Sequence, residues 1–279
     1  MPAIAQIQYH TPAQDVRIAG FALSPRDIDL LDTVREAIAS GRVGLDYQPV
    51  VMAGKPGRIA FHEALLRIRD VSGRVLPAAE FMPVAERTGL GRTLDVIALD
   101  QGLAALHATP DLRLAINISP RTIGNRDWER TLAVWMVRDA TVAERLVVEI
   151  TESSAMEAFE QVRDFMSRQQ LNGVSFALDD FGAGHTALRH LRELRFDILK
   201  LDGQFARRVA NDPDNRAIVE AIVGLARHFE MLTVAEWVES AEDAETLRAL
   251  GVDCLQGYHF GGPVPRPEWS SRGPSNATF

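Results

Sequence analysis

The chain is short of the residues from which disulfide scaffolds, zinc clusters and membrane spans are built. It has one cysteine, Cys254, in 279 residues. That excludes an internal disulfide and a cysteine-based zinc cluster, and it fits a reducing, cytoplasmic compartment. No apolar run approaches the roughly 18 residues of a membrane span. The N-terminal stretch MPAIAQIQYHTPAQDV lacks the basic region and apolar core of a secretory signal. Positive charge is also scarce: 30 Lys and Arg stand against 38 Asp and Glu, a formal net charge of −8. A nucleic-acid polymer needs a basic surface, so such a partner is not expected. A small anion held by metal and a few local cations remains compatible. The seven histidines show no HExxH or other paired spacing, which removes the usual histidine route to zinc.

What is present is an apolar fraction of 46% and a charged fraction of 24%, the balance of a globular core. Residues 1–25 have no clean period and read as a lead-in; 269–279, rich in small polar residues, read as a disordered tail. The domain is expected over 26–268. A helix is predicted over 26–40, with Ser24-Pro25 at its start and Gly41 at its end. Residues 43–51 and 58–67 read as an antiparallel hairpin around the turn Ala53-Gly54-Lys55-Pro56-Gly57. Helical patterns near 78–88, 91–108, 120–138, 153–170, 185–193, 214–230 and 240–250 then alternate with apolar runs at 112–119, 145–151, 174–180, 197–202, 232–236 and 252–256. Strand-then-helix alternation implies a parallel sheet with right-handed crossovers. About eight strands favour an α/β fold, a TIM-like (β/α)8 barrel with one antiparallel strand.

The strand ends carry the chemistry. Glu63, Asn117, Glu149, Asp179 with Asp180, Lys200 with Asp202, Glu236 and Gln256 each follow an apolar stretch. In a barrel these ends meet on one face, where active sites lie. A strand that simply stops at a polar residue explains one or two cases. It explains poorly why each of the seven groups includes an oxygen ligand for a hard cation, with one lysine among them. Such a set suits Mg²⁺ or Mn²⁺ and is large enough for two ions. Two ions can clamp the attacking and leaving oxygens of a phosphoryl displacement. They would also explain how the adjacent Asp179 and Asp180 tolerate one another. His62 neighbours Glu63 on a strand, so it should face the other way and pack.

Two other motifs overlap the acid pair. Gly182-Ala183-Gly184-His185-Thr186-Ala187 matches GxGxxA between a strand and a helix, with Asp202 twenty residues on. Two carboxylates directly before the loop oppose pyrophosphate there. Asp180-Phe181-Gly182 matches the DFG of kinases, but no glycine-rich nucleotide loop, VAIK or HRD segment precedes it.

Taken in order, the motifs resemble those of the EAL-domain cyclic di-GMP phosphodiesterases. They are Tyr47-Gln48-Pro49, Glu63-Ala64-Leu65 within EALLR, Asn117-Ile118-Ser119, Glu149-Ile150-Thr151-Glu152, Asp179-Asp180-Phe181-Gly182-Ala183-Gly184, Leu199-Lys200-Leu201-Asp202, Ala235-Glu236 with Glu239, and Gln256-Gly257-Tyr258. The resemblance implies two Mg²⁺ or Mn²⁺ ions and hydrolysis of cyclic di-GMP to linear pGpG. By carry-over, Glu63, Asn117, Glu149, Asp179, Asp180 and Glu236 would hold metal. Lys200, Glu63 and Glu236 would be catalytic, Lys200 by positioning or deprotonating water. Gln48, Leu65, Arg67, Asp202 and Gln256 would serve substrate, Gln256 through the water network. Glu152 and Glu239 would brace the loop. A homodimer is implied, and regulation through a separate protein is an open alternative.

The chain departs from the family pattern at several points. His185, Thr186 and Ala187 stand where the family has Tyr, Ser and Ser, Trp237 where it has glycine, and Ile68 where it has tryptophan. The altered loop and Trp237 motivate a second reading, a non-catalytic relative that binds cyclic di-GMP or a protein partner.

Overall fold

A computed structural model describes residues 23–183, 191–265, 267 and 269. The expected lead-in up to residue 22, the departures His185-Thr186-Ala187, most of the helix expected at 185–193 and all of the expected tail except Trp269 lie outside the described residues.

Helix α1 (Pro25–Ala39) begins at a capping box. Ser24 Oγ accepts from Asp27 N at 3.2 Å, and the Asp27 carboxylate accepts from Ser24 N at 3.1 Å. Its buried stripe is Leu31, Val34, Ala37 and Ile38. The hairpin follows as β1 (Val43–Met52) and β2 (Lys55–Arg69), antiparallel, with Gln48 opposite Glu63. A three-residue strand, β3 (Val75–Pro77), extends the far end of β2. It was not expected, because three residues carry too little period to read.

Six parallel strands come next: β4 (Leu114–Asn117), β5 (Leu146–Thr151), β6 (Ser175–Phe181), β7 (Ile198–Leu201), β8 (Leu232–Ala235) and β9 (Cys254–Gln256). β2 joins β4 in parallel, and β9 joins β1 antiparallel with Val50 opposite Gln256. The ring β1-β9-β8-β7-β6-β5-β4-β2 closes through the β1–β2 pairing, with β3 outside it. This is the expected TIM-like barrel of eight strands, one of them reversed.

The interior of the barrel explains why the site is where it is. Each ring strand gives one residue to a small inner cluster: Val50, Phe61, Ala115, Val147, Ala177, Ile198, Val234 and Cys254. Side chains two apart on a strand share a face. Two residues toward the C-terminal face from these stand Gln48 (on the reversed β1), Phe61's neighbour-but-one Glu63, then Asn117, Glu149, Asp179, Lys200, Glu236 and Gln256. An apolar plug therefore sits directly beneath a polar ring. The alternate residues, among them Ile116, Val148, Ile150, Phe176, Leu178, Leu199 and Leu201, pack outward in the main core.

The outer helices are α2 (Ala78–Ala85), α3 (Gly89–Ala108), α4 (Arg126–Arg138), α5 (Glu152–Glu157), α6 (Phe159–Gln170), α7 (Gly203–Ala206), α8 (Pro213–His228) and α9 (Ala241–Ala249). Two expected helices are broken. The one at 120–138 is a 3₁₀ turn, Pro120–Thr122, and then α4, because Gly124 has φ +75° and Asn125 caps Asp127 N and Trp128 N. The one at 153–170 divides at Ala158, whose φ −122° and ψ 39° are not helical. No helix among the described residues is long and apolar enough to cross a membrane.

Candidate active site

Lys200 is the centre of the polar ring and is fully buried. Its Nζ lies 2.8 Å from Glu236 Oε1, 3.0 Å from Asp179 Oδ1, 3.0 Å from Glu149 Oε2 and 3.5 Å from Glu63 Oε2. Glu63 is fixed from both sides. It accepts from Asn117 Nδ2 at 2.9 Å and from Gln256 Nε2 at 2.6 Å, and Gln256 Nε2 also reaches Gln48 Oε1 at 3.3 Å. Residues from β1, β2, β4, β5, β6, β7, β9 and the exit of β8 thus meet in one constellation.

Asp180 joins them through a backbone irregularity. Adjacent strand residues normally point to opposite faces. Here the β6–β7 register shifts between Leu178 and Phe181, and Asp180 takes φ +56°. A bulge of this kind re-aims a side chain. Carboxylate oxygens of Asp179, Asp180 and Glu236 lie within 4.8 Å of one another. The turn that follows is pinned: Glu152 Oε2 accepts from Gly182 N at 2.8 Å, and Gln204 Nε2 donates to Gly182 O at 3.3 Å.

One ammonium faces five carboxylates, and the ionisation follows from that imbalance. Burial opposes the charge of Lys200, but Asp179, Glu149, Glu236 and Glu63 together push its pKa well above the ordinary value. Burial raises Glu63, yet Lys200 and the bonds from Gln256 and Asn117 bring it below the usual carboxylate value. Burial and the neighbouring Glu63 raise Glu149 well above its usual value. Burial, opposed by Lys200 and aided by Asp179, pushes Glu236 up to about 8. Burial and Asp179 push Asp180 up to about 6. Negative charge left over beside a single cation is what a site for divalent cations requires. The donor set fits Mg²⁺ or Mn²⁺: all-oxygen, carboxylate-rich, with Glu149 Oε1 and Gln256 Oε1 buried and without a hydrogen-bond partner among the described residues.

The remaining expected residues lie around this centre. Arg67 is at the rim, paired with Asp46 at 3.0 Å, and Leu65 is half-buried opposite Asp46. Asp202 accepts from Gln204 N at 2.8 Å and caps α7. Gln48 Nε2 donates to Gly261 O at 3.1 Å. Glu239 is exposed; its ion partner is Arg207, at 3.7 Å, while the bond to the Gly182 turn comes from Glu152. His62 faces away from the site, as expected. It packs edge-on against Trp269 at 5.8 Å, and burial lowers its pKa to about 4, so it is neutral.

Two residues that sequence reasoning passed over also shape the site. Gln204 is one, through Gly182. The other is Asp95 on α3, buried, which accepts from Ser119 N at 3.0 Å, from Ser119 Oγ, and from Thr122 Oγ1 at 2.6 Å. It anchors the turn just after Asn117. An acid on the apolar face of α3 was the available signal.

Comparison with known proteins agrees with this geometry. The family model of the EAL domain matches residues 31–263. The chain is 31% identical over 242 residues to the cyclic di-GMP phosphodiesterase PdeF of Escherichia coli, covering 85% of this chain and 32% of that protein. It is 32% identical over 251 residues to the bifunctional diguanylate cyclase/cyclic di-GMP phosphodiesterase MucR of Pseudomonas aeruginosa, covering 88% and 36%. The chain thus spans about a third of the length of these curated relatives. A solved structure described as PaMucR phosphodiesterase in complex with cyclic di-GMP superposes with a TM-score of 0.77 at 32% identity, over 85% of this chain and 98% of that one. On the fold, the ring of strand-end residues and these matches, the chain belongs to the EAL domain family.

Proposed function

We propose that the barrel, over residues 26–268, hydrolyses cyclic di-GMP to linear pGpG. The observation that carries this reading is the unbroken polar ring around Lys200, one residue from every strand position and no expected ligand type lost. Glu63, Asn117, Glu149 and Asp179 would hold one cation; Asp179, Asp180 and Glu236 would hold a second. Mg²⁺ or Mn²⁺ bound there supplies Lewis acidity, drawing charge from the phosphoryl oxygens and lowering the pKa of water.

The chain's own groups do the rest. Lys200 stays protonated among its four carboxylates and orients the attacking water by donating to its oxygen. Glu236, 2.8 Å from Lys200 Nζ, would help hold that water beside the cation it binds, and the water's proton passes to solvent. The water oxygen bonds to phosphorus, the bond from phosphorus to the 3′ oxygen breaks, and that oxygen leaves with a proton from solvent. Gln256 and Asn117 hold Glu63 in place. Arg67, Leu65, Gln48 and Asp202 would contact substrate at the rim.

The reading is tested by incubating the protein with cyclic di-GMP and Mn²⁺ or Mg²⁺. pGpG is expected, and Glu63→Ala should abolish it; no turnover with either metal sinks the idea. Trp237, standing where the family has glycine beside Glu236, favours a second reading: a module that binds cyclic di-GMP without cleaving it. Calorimetry showing binding without turnover would select that one. A cytoplasmic homodimer is part of the first reading, and sedimentation tests the dimer.

A further inference from the structure

Trp237 joins a strained backbone to a half-exposed ring. It follows Glu236 at the exit of β8 and adopts φ +56°, a left-handed conformation disfavoured for bulky residues. Its backbone cannot relax: Glu236 N donates to Leu201 O at 3.3 Å, and Val238 N to Gln256 O at 3.0 Å. Glycine would accept this conformation without penalty. The indole does not repay the strain by burial, since the residue is 52% exposed. Trp128, by contrast, is sealed in the core, and Trp135 gives its indole N–H to Asp100.

The ring is nevertheless held in one place. The Arg207 guanidinium lies over it, with Cζ 4.5 Å from the ring centroid. Along the Cβ–Cγ–Cδ1 edge it rests on Gly203, where any Cβ would overlap it. Gly203 directly follows Asp202, an expected substrate contact. Strain at an observed outlier, beside a catalytic centre, is a mark of function.

We infer that Trp237, backed by Arg207, is a stacking platform for one purine base of the substrate; this deepens, and rests on, the assignment of cyclic di-GMP given above. Every base offers a π-face to an aromatic ring. An exposed indole fixed at the mouth of the barrel offers the matching surface. Arg207, itself paired with Glu239 at 3.7 Å, covers the ring and keeps it from turning. Trp237 is then a residue for affinity and base preference, acting on the bound dinucleotide and not on the acid ring.

The test uses a hydrolysis-resistant phosphorothioate analogue of cyclic di-GMP with Mg²⁺. Calorimetry should give Trp237→Gly a Kd about tenfold weaker than wild type, and Trp237→Phe a Kd within about threefold. Indole emission of the wild type should be quenched by the analogue, and that quenching should vanish in Trp237→Phe. Trp237→Gly should unfold at the same or a higher temperature than wild type, because the strain is relieved. Equal Kd for wild type and Trp237→Gly would overturn the platform and leave the phosphodiesterase reading intact. A Trp237→Gly protein that loses affinity and thermal stability together would overturn it in favour of a packing role. A wild type that does not bind the analogue at all would instead remove the assignment of substrate, and the platform with it.

Discussion

Glu152 Oε2 and the amide of Gly182 are 2.8 Å apart, and this bond ties the first turn of α5 to the turn that follows Asp179 and Asp180. Glu152→Ala would leave the Gly182 amide without this acceptor, at about 1–3 kcal/mol. The expected result is weaker Mg²⁺ binding and at least tenfold slower turnover with the fold intact by circular dichroism. Glu152→Gln, which keeps an accepting oxygen, should recover part of both.

Gly182 itself admits no side chain. It has φ +96°, and a Cβ there would overlap the Phe205 ring. Gly182→Ala is expected to lower stability by about 1–3 kcal/mol. Denaturant midpoints measured beside wild type check this, and Gly182→Ala/Phe205→Ala should regain the part due to overlap.

Lys200 supplies the only cation inside a ring of carboxylates among the described residues. Removing one partner of a buried ionic cluster typically costs about 3–5 kcal/mol. Lys200→Met should therefore be markedly destabilised in chelator. Mg²⁺ should raise its unfolding temperature by more than it raises that of wild type, because the added cations replace the missing charge. Turnover should not return.

Asp95 has a pKa that burial raises to about 6, despite the three bonds it accepts. A carboxyl that binds its proton more tightly when folded stabilises below the unfolded pKa, and that contribution is lost as pH rises. The window runs from about 4 to about 6. Between those limits wild type should lose on the order of 3 kcal/mol relative to Asp95→Asn. Urea midpoints of the two proteins at pH 4 and pH 7 measure it; parallel pH dependence would refute it.

The barrel and most of its site were legible because the strands repeat one arrangement: an apolar residue, a spacer, then a polar group. Phe61 and Glu63, Ala115 and Asn117, Val147 and Glu149, Ala177 and Asp179, Ile198 and Lys200 all obey it. The outcome for His62 follows from the same alternation. Asp180 was legible by type but not by direction, since its bulge depends on pairing with β7. Asp95 and Gln204 were missed because their partners, Ser119 and Gly182, are 24 and 22 residues away in the chain. The break at Gly124-Asn125 did carry a signal, a weak helix former followed by a strong N-cap, whereas the one at Ala158 falls on the best helix former and carries none. Glu239 pairs with Arg207 through a contact that no local pattern announces.

The reversed first strand joins the last one, Val50 against Gln256. Ring closure therefore waits for residues more than two hundred positions apart to meet, and long-range closure of this kind slows folding. Glu63 enters near the beginning and Gln256 near the end, so the acid ring has no complete precursor during synthesis. A chain that lacks β9 leaves β1 and β8 with open edges and Glu63 without the bond from Gln256. Divalent metal should act late, favouring the closed barrel over its open forms and slowing unfolding more than it speeds folding.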